Sequence, residues 1–220
     1  MKAYPNSIHA NEVRYYLAES YFKVESLYQE AENYKVLKET WNVYKSRAIM
    51  RLGSIYQELN QTQQAIDAYQ SLITLEATAK ETFSASRALM LIYASRGECE
   101  QVIRLSNEIL EMPNVATALS ADREALILKA NCLLTLKKVD EAVEIYNFLV
   151  EEDDRYAAES SYLIGWVRFE AGEYEASQEM LFDSIEKTVG YPEWSAKSYL
   201  LIARSYIELD QIFQAKATLR

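Results

Sequence analysis

Apolar positions along this chain recur at the spacing of one face of an α-helix. The clearest case is Ile49–Leu72, where Ile49, Leu52, Gly53 and Tyr56 fall at i, i+3, i+4 and i+7. Ala65 and Tyr69 then repeat an i, i+4 pairing on a second helix. The rest of the chain reads as imperfect copies of this unit. Six helix pairs are predicted, at about residues 11–39, 46–76, 85–111, 123–151, 159–187 and 195–220, the last one short. The first carries Leu17, Ala18 and Tyr21, then Ala31 and Tyr34 one residue out of register. The third carries Leu89, Met90, Tyr93 and Val102, with Met90 and Val102 at places where other copies in the chain have Gly or Ala. The fourth has Leu126, Ala130, Leu133, Ala142 and Tyr146; the fifth has Ile164 and Gly165, with Arg168 where an aromatic is expected; the sixth has Ile202, Ala203, Tyr206, Ala215 and Leu219. Repeats that each leave an apolar seam uncovered stack to bury it, so the expected architecture is a single all-α array spanning 1–220.

The punctuation residues agree. The chain holds 5 Gly and 3 Pro in 220 residues, and they sort by place. Gly53 and Gly165 lie mid-helix, where a facing helix must approach closely. Gly97 and Gly172 lie in turns within pairs, where positive φ ends the first helix. Gly190 and the prolines lie between pairs. The lead-in Tyr4-Pro5-Asn6-Ser7 resembles a junction between two pairs, which predicts that the array extends before Met1.

Charge and chemistry narrow the function. A net charge of −10 repels phosphate backbones and anionic headgroups, which argues against nucleic acid and lipid surfaces as partners. The most apolar run, Leu126–Leu136, is interrupted by Lys129 and too short to insert in a bilayer. Cys99 and Cys132 have no metal-type spacing and read as small buried hydrophobes. With 1 His in the chain, a His-dependent triad or multi-His metal site cannot be assembled, and with no Gly-rich phosphate loop no cofactor is expected. Glu151-Glu152-Asp153-Asp154 reads as a solvated loop.

The spacing Ile49-x2-Leu52-Gly53-x2-Tyr56, followed by Ala65-x3-Tyr69, resembles the tetratricopeptide repeat (TPR) family, and the resemblance extends over nearly the whole chain. The segments Tyr15–Phe22, Tyr162–Ser177 and Trp194–Leu219 look more specifically like large bacterial cell-envelope TPR proteins similar to the TolA-binding, Tol-Pal-associated factor. The resemblance implies a right-handed superhelical solenoid of antiparallel helix pairs. Its concave groove, lined by the first helix of each pair, binds peptides or protein segments. The period, about 34 in the family, is stretched between pairs at Ala77–Thr82, Pro113–Ala121 and Gly190–Trp194.

On that frame the residues that choose a partner are those between the motif positions. The candidates are Tyr15, Phe22, Arg47, Met50, Gln57, Arg87, Asn131, Tyr162, Trp166, Phe169 and Arg204. Tyr162, Trp166 and Phe169 form an i, i+4, i+7 aromatic stripe. It either packs on a neighbouring helix or serves as a platform for an apolar partner segment. Arg47 and Arg87 come from adjacent pairs and either hold a carboxylate or make ordinary surface pairs. The two-Lys, two-Asn, one-Arg clamp for chaperone tails is absent, since Ile127, Leu163 and Leu201 stand around Asn131. The expected function is a non-catalytic protein-interaction scaffold, with a groove that senses a small peptide or glycan as the alternative and an enzyme as the remote one. Ile212, Phe213 and Leu219 at the short sixth pair predict self-association or continuation of the array.

Overall fold

The computed structural model describes residues 9–75, 77–112, 119–187 and 190–220. Among these there are twelve α-helices and no strand. They pair as α1 (Ala10–Lys23) with α2 (Leu27–Glu39), α3 (Lys45–Glu58) with α4 (Thr62–Ile73), α5 (Ala79–Ser95) with α6 (Cys99–Glu111), α7 (Leu119–Thr135) with α8 (Val139–Leu149), α9 (Arg155–Glu170) with α10 (Tyr174–Lys187), and α11 (Pro192–Glu208) with α12 (Ile212–Thr218). The lead-in Tyr4-Pro5-Asn6-Ser7 and the junction 113–118 lie outside the described residues.

Every pair turns in the same way. One residue in each turn is left-handed: Glu25 (φ 56°), Asn60 (56°), Gly97 (70°), Lys137 (63°), Gly172 (81°) and Asp210 (58°). The N–H of the residue after it donates back to a carbonyl in the last turn of the first helix. These bonds are Ser26 to Tyr21 (2.9 Å), Gln61 to Tyr56 (2.7 Å), Glu98 to Tyr93 (3.0 Å), Lys138 to Leu133 (2.9 Å), Glu173 to Arg168 (2.9 Å) and Gln211 to Tyr206 (2.8 Å). This is a Schellman closure, which satisfies carbonyls that the helix end would orphan. Glycine was expected at two of these turns; four others force a side chain into the same conformation.

Packing within a pair rests on a small residue facing a large one. A Cβ on Gly53 would lie within 2.8 Å of three atoms of the Tyr69 ring, and one on Gly165 would lie 2.6 Å from Leu181 Cγ. Ala18 with Tyr34 and Ala130 with Tyr146 stand at the same sequence offset and are fully buried.

The offset also corrects the reading of the first pair. Tyr34 is in register, and the alanine place held by Ala65 and Ala142 is taken by Glu30, which is wholly buried. Arg51 satisfies it through two bonds, Nε to Oε1 at 2.6 Å and Nη2 to Oε2 at 3.2 Å. The extra residue was only apparent, because Ala31 was assigned to a place that a carboxylate fills. The fifth pair compensates for Arg168 as well: that side chain is exposed and bonded to Glu173, while Phe169 and Tyr174 supply the aromatic contact at 5.3 Å.

The helices divide into two compact units. One contains α1 to α5, and the other contains Val102–Leu110 of α6 with α7 to α12. In the first, α2 lies against α1 and α3, and α4 against α3 and α5; Tyr15, Ala18, Tyr34, Leu37, Leu52 and Ile55 form one core cluster. In the second, α7 meets both α8 and α9, and α9 meets α10 and α11, so that successive first helices lie side by side. Its clusters centre on Tyr146 with Ile164 and on Phe169 with Leu181. Cys99 and Cys132 are buried and form no disulfide. Pro192 is not between helices, as expected, but at the start of α11, where its missing N–H costs nothing. Beyond it, Ile212, Phe213 and Leu219 remain exposed.

Asp154 is not a solvated loop residue either. It caps α9 by accepting from the N–H groups of Tyr156 and Ala157, both at 2.9 Å. Arg123 reaches it with Nε (2.5 Å) and Nη2 (3.0 Å), and also donates to the Leu149 carbonyl at 2.6 Å. Partial burial pushes the Asp154 carboxyl upward, but the Arg123 pair and the two N–H donors outweigh it and hold the carboxyl below its usual range.

Two predictions follow from these contacts. In urea unfolding, Gly53→Ala loses about 1–3 kcal/mol to overpacking against Tyr69, whereas Lys137→Gly gains roughly 0.5–1 kcal/mol by relieving the left-handed residue. The Asp154 carboxylate is more acidic folded than unfolded, so its contribution is complete above the unfolded value and is lost as pH falls through the folded one. Asp154→Asn should therefore lower the melting temperature at pH 7 and flatten its dependence on pH below about 4.

Candidate functional site

In the first unit most of the expected groove residues are occupied by the protein itself. Tyr15 was expected to face a partner and is instead 7% exposed. Its ring stacks on Tyr44 at 4.5 Å, its edge meets Tyr34, and its hydroxyl accepts from Arg47 Nη1 at 2.8 Å. The linker between α2 and α3 brings Tyr44 over it, which helical spacing alone does not show. Phe22 is half exposed, with the Arg51 guanidinium 4.6 Å above its ring. Gln57 accepts from the Tyr69 hydroxyl at 2.7 Å. Met50 and Arg87 are half-buried on α3 and α5, and Arg47 is exposed. Arg47 is thus tied to a tyrosine hydroxyl through one of its nitrogens.

The second unit has an open recess on the first-helix face. It measures about 360 Å³ and is lined by Asn131 and Leu134 from α7 and by Glu159, Tyr162, Leu163 and Trp166 from α9. A neighbouring depression of about 270 Å³ shares Leu134 and Trp166 and adds Lys137 and Glu170. Polar groups in the recess are held from behind. The Tyr146 hydroxyl donates to Asn131 Oδ1 at 2.7 Å, and Asn131 Nδ2 donates to Glu159 Oε1 at 3.1 Å. Burial, helped by the Glu159 charge, drives the Tyr146 hydroxyl upward, so it stays protonated as the donor of this relay.

The aromatic stripe of α9 divides. Tyr162 and Trp166 are half-buried and line the recess. Phe169, expected beside them, turns into the core at 8% exposure. Arg204 of α11 covers its ring at 4.7 Å, so Arg204 is placed by Phe169. Tyr162 also meets Trp194 at 5.7 Å, and Lys197 Nζ sits 3.9 Å from the Trp194 ring centre. The face therefore carries both answers for the stripe: its C-terminal ring is core and the other two are accessible.

Sequence reasoning missed Glu159, Leu163 and Trp194. Glu159 was legible, because it precedes Tyr162 and Trp166 by helical spacing and so shares their face. Trp194 was not, since it depends on how α11 begins. A larger polar depression of about 510 Å³ lies between α8 and α9, with Asp140, Glu144, Asn147, Arg168 and Glu173 around it. Among the described residues no group of three or more His, Cys, Asp or Glu side chains is placed to hold a metal ion. No described helix is long and apolar enough to cross a membrane.

Comparison with known proteins agrees with this fold. A tetratricopeptide repeat family profile matches residues 47–83, which covers α3, α4 and the start of α5. No curated protein matches the sequence. Among solved structures, a tetratricopeptide repeat protein from Parabacteroides merdae superposes with a TM-score of 0.69 at 18% identity, over 94% of this chain and 77% of that one. The apo quorum sensor NprR from B. thuringiensis gives 0.67 at 15% identity, over 95% and 62%; this chain therefore spans less than two thirds of that protein's length. BtubC from P. vanneervenii gives 0.61 at 12% identity, over 94% and 86%. The fold is an all-α repeat fold of the tetratricopeptide type.

Proposed function

We propose that this protein is a non-catalytic scaffold that binds an extended protein segment along the first-helix face of its repeats, with α7 and α9 contributing the principal contact. The observation that carries this reading is the recess between Asn131 and Trp166. There, two half-buried aromatic rings and two leucines lie beside an amide and a carboxylate fixed by internal hydrogen bonds. Hot spots of protein interfaces have this composition, apolar anchors with few polar groups held in place. The recess is shallow and open, which favours a polypeptide over an enclosed small ligand. The fold supports the same reading, since helical repeats present extended surfaces for binding.

The two units form, in this proposal, one continuous array. The segments Tyr15–Phe22, Tyr162–Ser177 and Trp194–Leu219 support assigning it to a larger bacterial cell-envelope protein. Exposure of Ile212, Phe213 and Leu219 supports self-association at α12. Sedimentation should then show a concentration-dependent dimer that Phe213→Glu abolishes; a monomer at every concentration contradicts this part.

For the groove itself, decapeptides selected from a random library on the wild-type protein should lose at least tenfold in affinity on Trp166→Ala. A truncated central aromatic typically costs about 2 kcal/mol or more. If the selected peptides bind this variant as tightly as the wild type, or if none is selected, the groove assignment fails.

A further inference from the structure

The charge in the recess is unbalanced. Glu159 is the only ionisable side chain among its lining residues other than the tyrosine phenol. Oε1 accepts from Asn131, while Oε2 makes no hydrogen bond to protein among the described residues. The amide cannot be reversed. Tyr146 is held as a donor by its burial, so Oδ1 must face Tyr146 and Nδ2 must face Glu159; a flipped amide would set an acceptor against the carboxylate. The relay is made of neutral groups, so it fixes where the carboxylate points without cancelling its charge. Beside it stand the rings of Tyr162 and Trp166, whose negative faces also favour a cation.

Resting on the peptide-binding reading above, we propose that the recess receives an arginine side chain of the bound segment, its guanidinium bonded to Glu159 and lying against Trp166. Arginine fits better than lysine for two reasons. A planar guanidinium stacks on an indole while donating in its own plane to a carboxylate, and it is less strongly hydrated than an ammonium, so transfer into a half-apolar recess costs less. Leu134 and Leu163 would cover its methylene stem. Selectivity follows from the carboxylate: an apolar or acidic side chain in the same place would leave Glu159 desolvated and unpaired. The net charge of −10 attracts such a segment at longer range.

The test uses the full chain and the selected decapeptides. The expected result is a shared arginine whose replacement by citrulline, its neutral isostere, weakens binding to the wild type at least tenfold. Glu159→Gln preserves the acceptor for Asn131 and should make the arginine and citrulline peptides bind alike, with Trp166→Ala weakening both. Peptides that depend on Trp166 but show no arginine preference would overturn this inference and leave the peptide-binding reading intact. An arginine preference that survives Glu159→Gln would place the cation elsewhere and overturn it too. A lysine-substituted peptide binding as tightly as the arginine one would remove the stacking. Failure to select any peptide would remove both readings.

Discussion

The structure depends on one steric opposition, a small residue on the first helix of a pair beneath a large one on the second. Gly53 under Tyr69 and Gly165 under Leu181 show it directly, because neither site has room for a methyl group. Close approach brings the backbones together, and the large side chain then fills the space that the small one leaves open. Ala18 with Tyr34 and Ala130 with Tyr146 repeat the arrangement with a slightly larger partner. A left-handed residue closes the turn at the same place in every pair, whether or not the sequence supplies a glycine. Glu25, Asn60, Lys137 and Asp210 accept a local cost there because the pair behind them fixes the turn.

Charged residues enter the core only where they are answered. Glu30 occupies a place that elsewhere holds alanine, and it is tolerated because Arg51 meets both of its oxygens. Such a pair adds little net stability, but removing one partner leaves the other exposed to an apolar surrounding. Its effect is positional: Arg51 from α3 is drawn onto α2 and across the Phe22 ring. Arg123 works similarly, joining the end of α8 at the Leu149 carbonyl to the cap of α9 at Asp154. In both cases an ion pair sets the junction between consecutive pairs, where the sequence has no regular motif.

That difference accounts for what was legible. Contacts within a pair are made at fixed sequence offsets, so Ile49–Leu72 alone was enough to recognise the unit and to place its copies. Register failed only at Glu30, where an ion pair replaced the expected alanine and hydrophobicity gave no signal. Contacts between pairs depend on junction geometry, which no offset encodes; Tyr44 over Tyr15 and Trp194 against Tyr162 both arise there. Tyr15 and Phe169, expected on the partner surface, are consequently in the core, and Glu159, which was not expected there, lines the recess. Residues in the middle of first helices, such as Asn131 and Trp166, line that recess together, because their direction is fixed by the helices that carry them.

The tyrosines link this framework to function. The first-helix residue following the small one receives the hydroxyl of the large one: Glu19 from Tyr34, and Asn131 from Tyr146. Ser54 stands within 3.4 Å of the Tyr69 hydroxyl, which donates to Gln57. In the first and fourth pairs that position must supply an acceptor, so its chemistry is dictated from behind; in the second, Ser54 can only donate to the Tyr69 hydroxyl, whose proton goes to Gln57. In the fifth pair the large residue is Leu181, which has no hydroxyl to satisfy. The corresponding first-helix residue is released from that duty, and there the chain places Trp166. An aromatic surface thus becomes available where the internal hydrogen bond is absent, next to Asn131, where it is present and orients Glu159. The recess combines the two variants of one structural rule, an unconstrained apolar position on α9 beside a constrained polar one on α7.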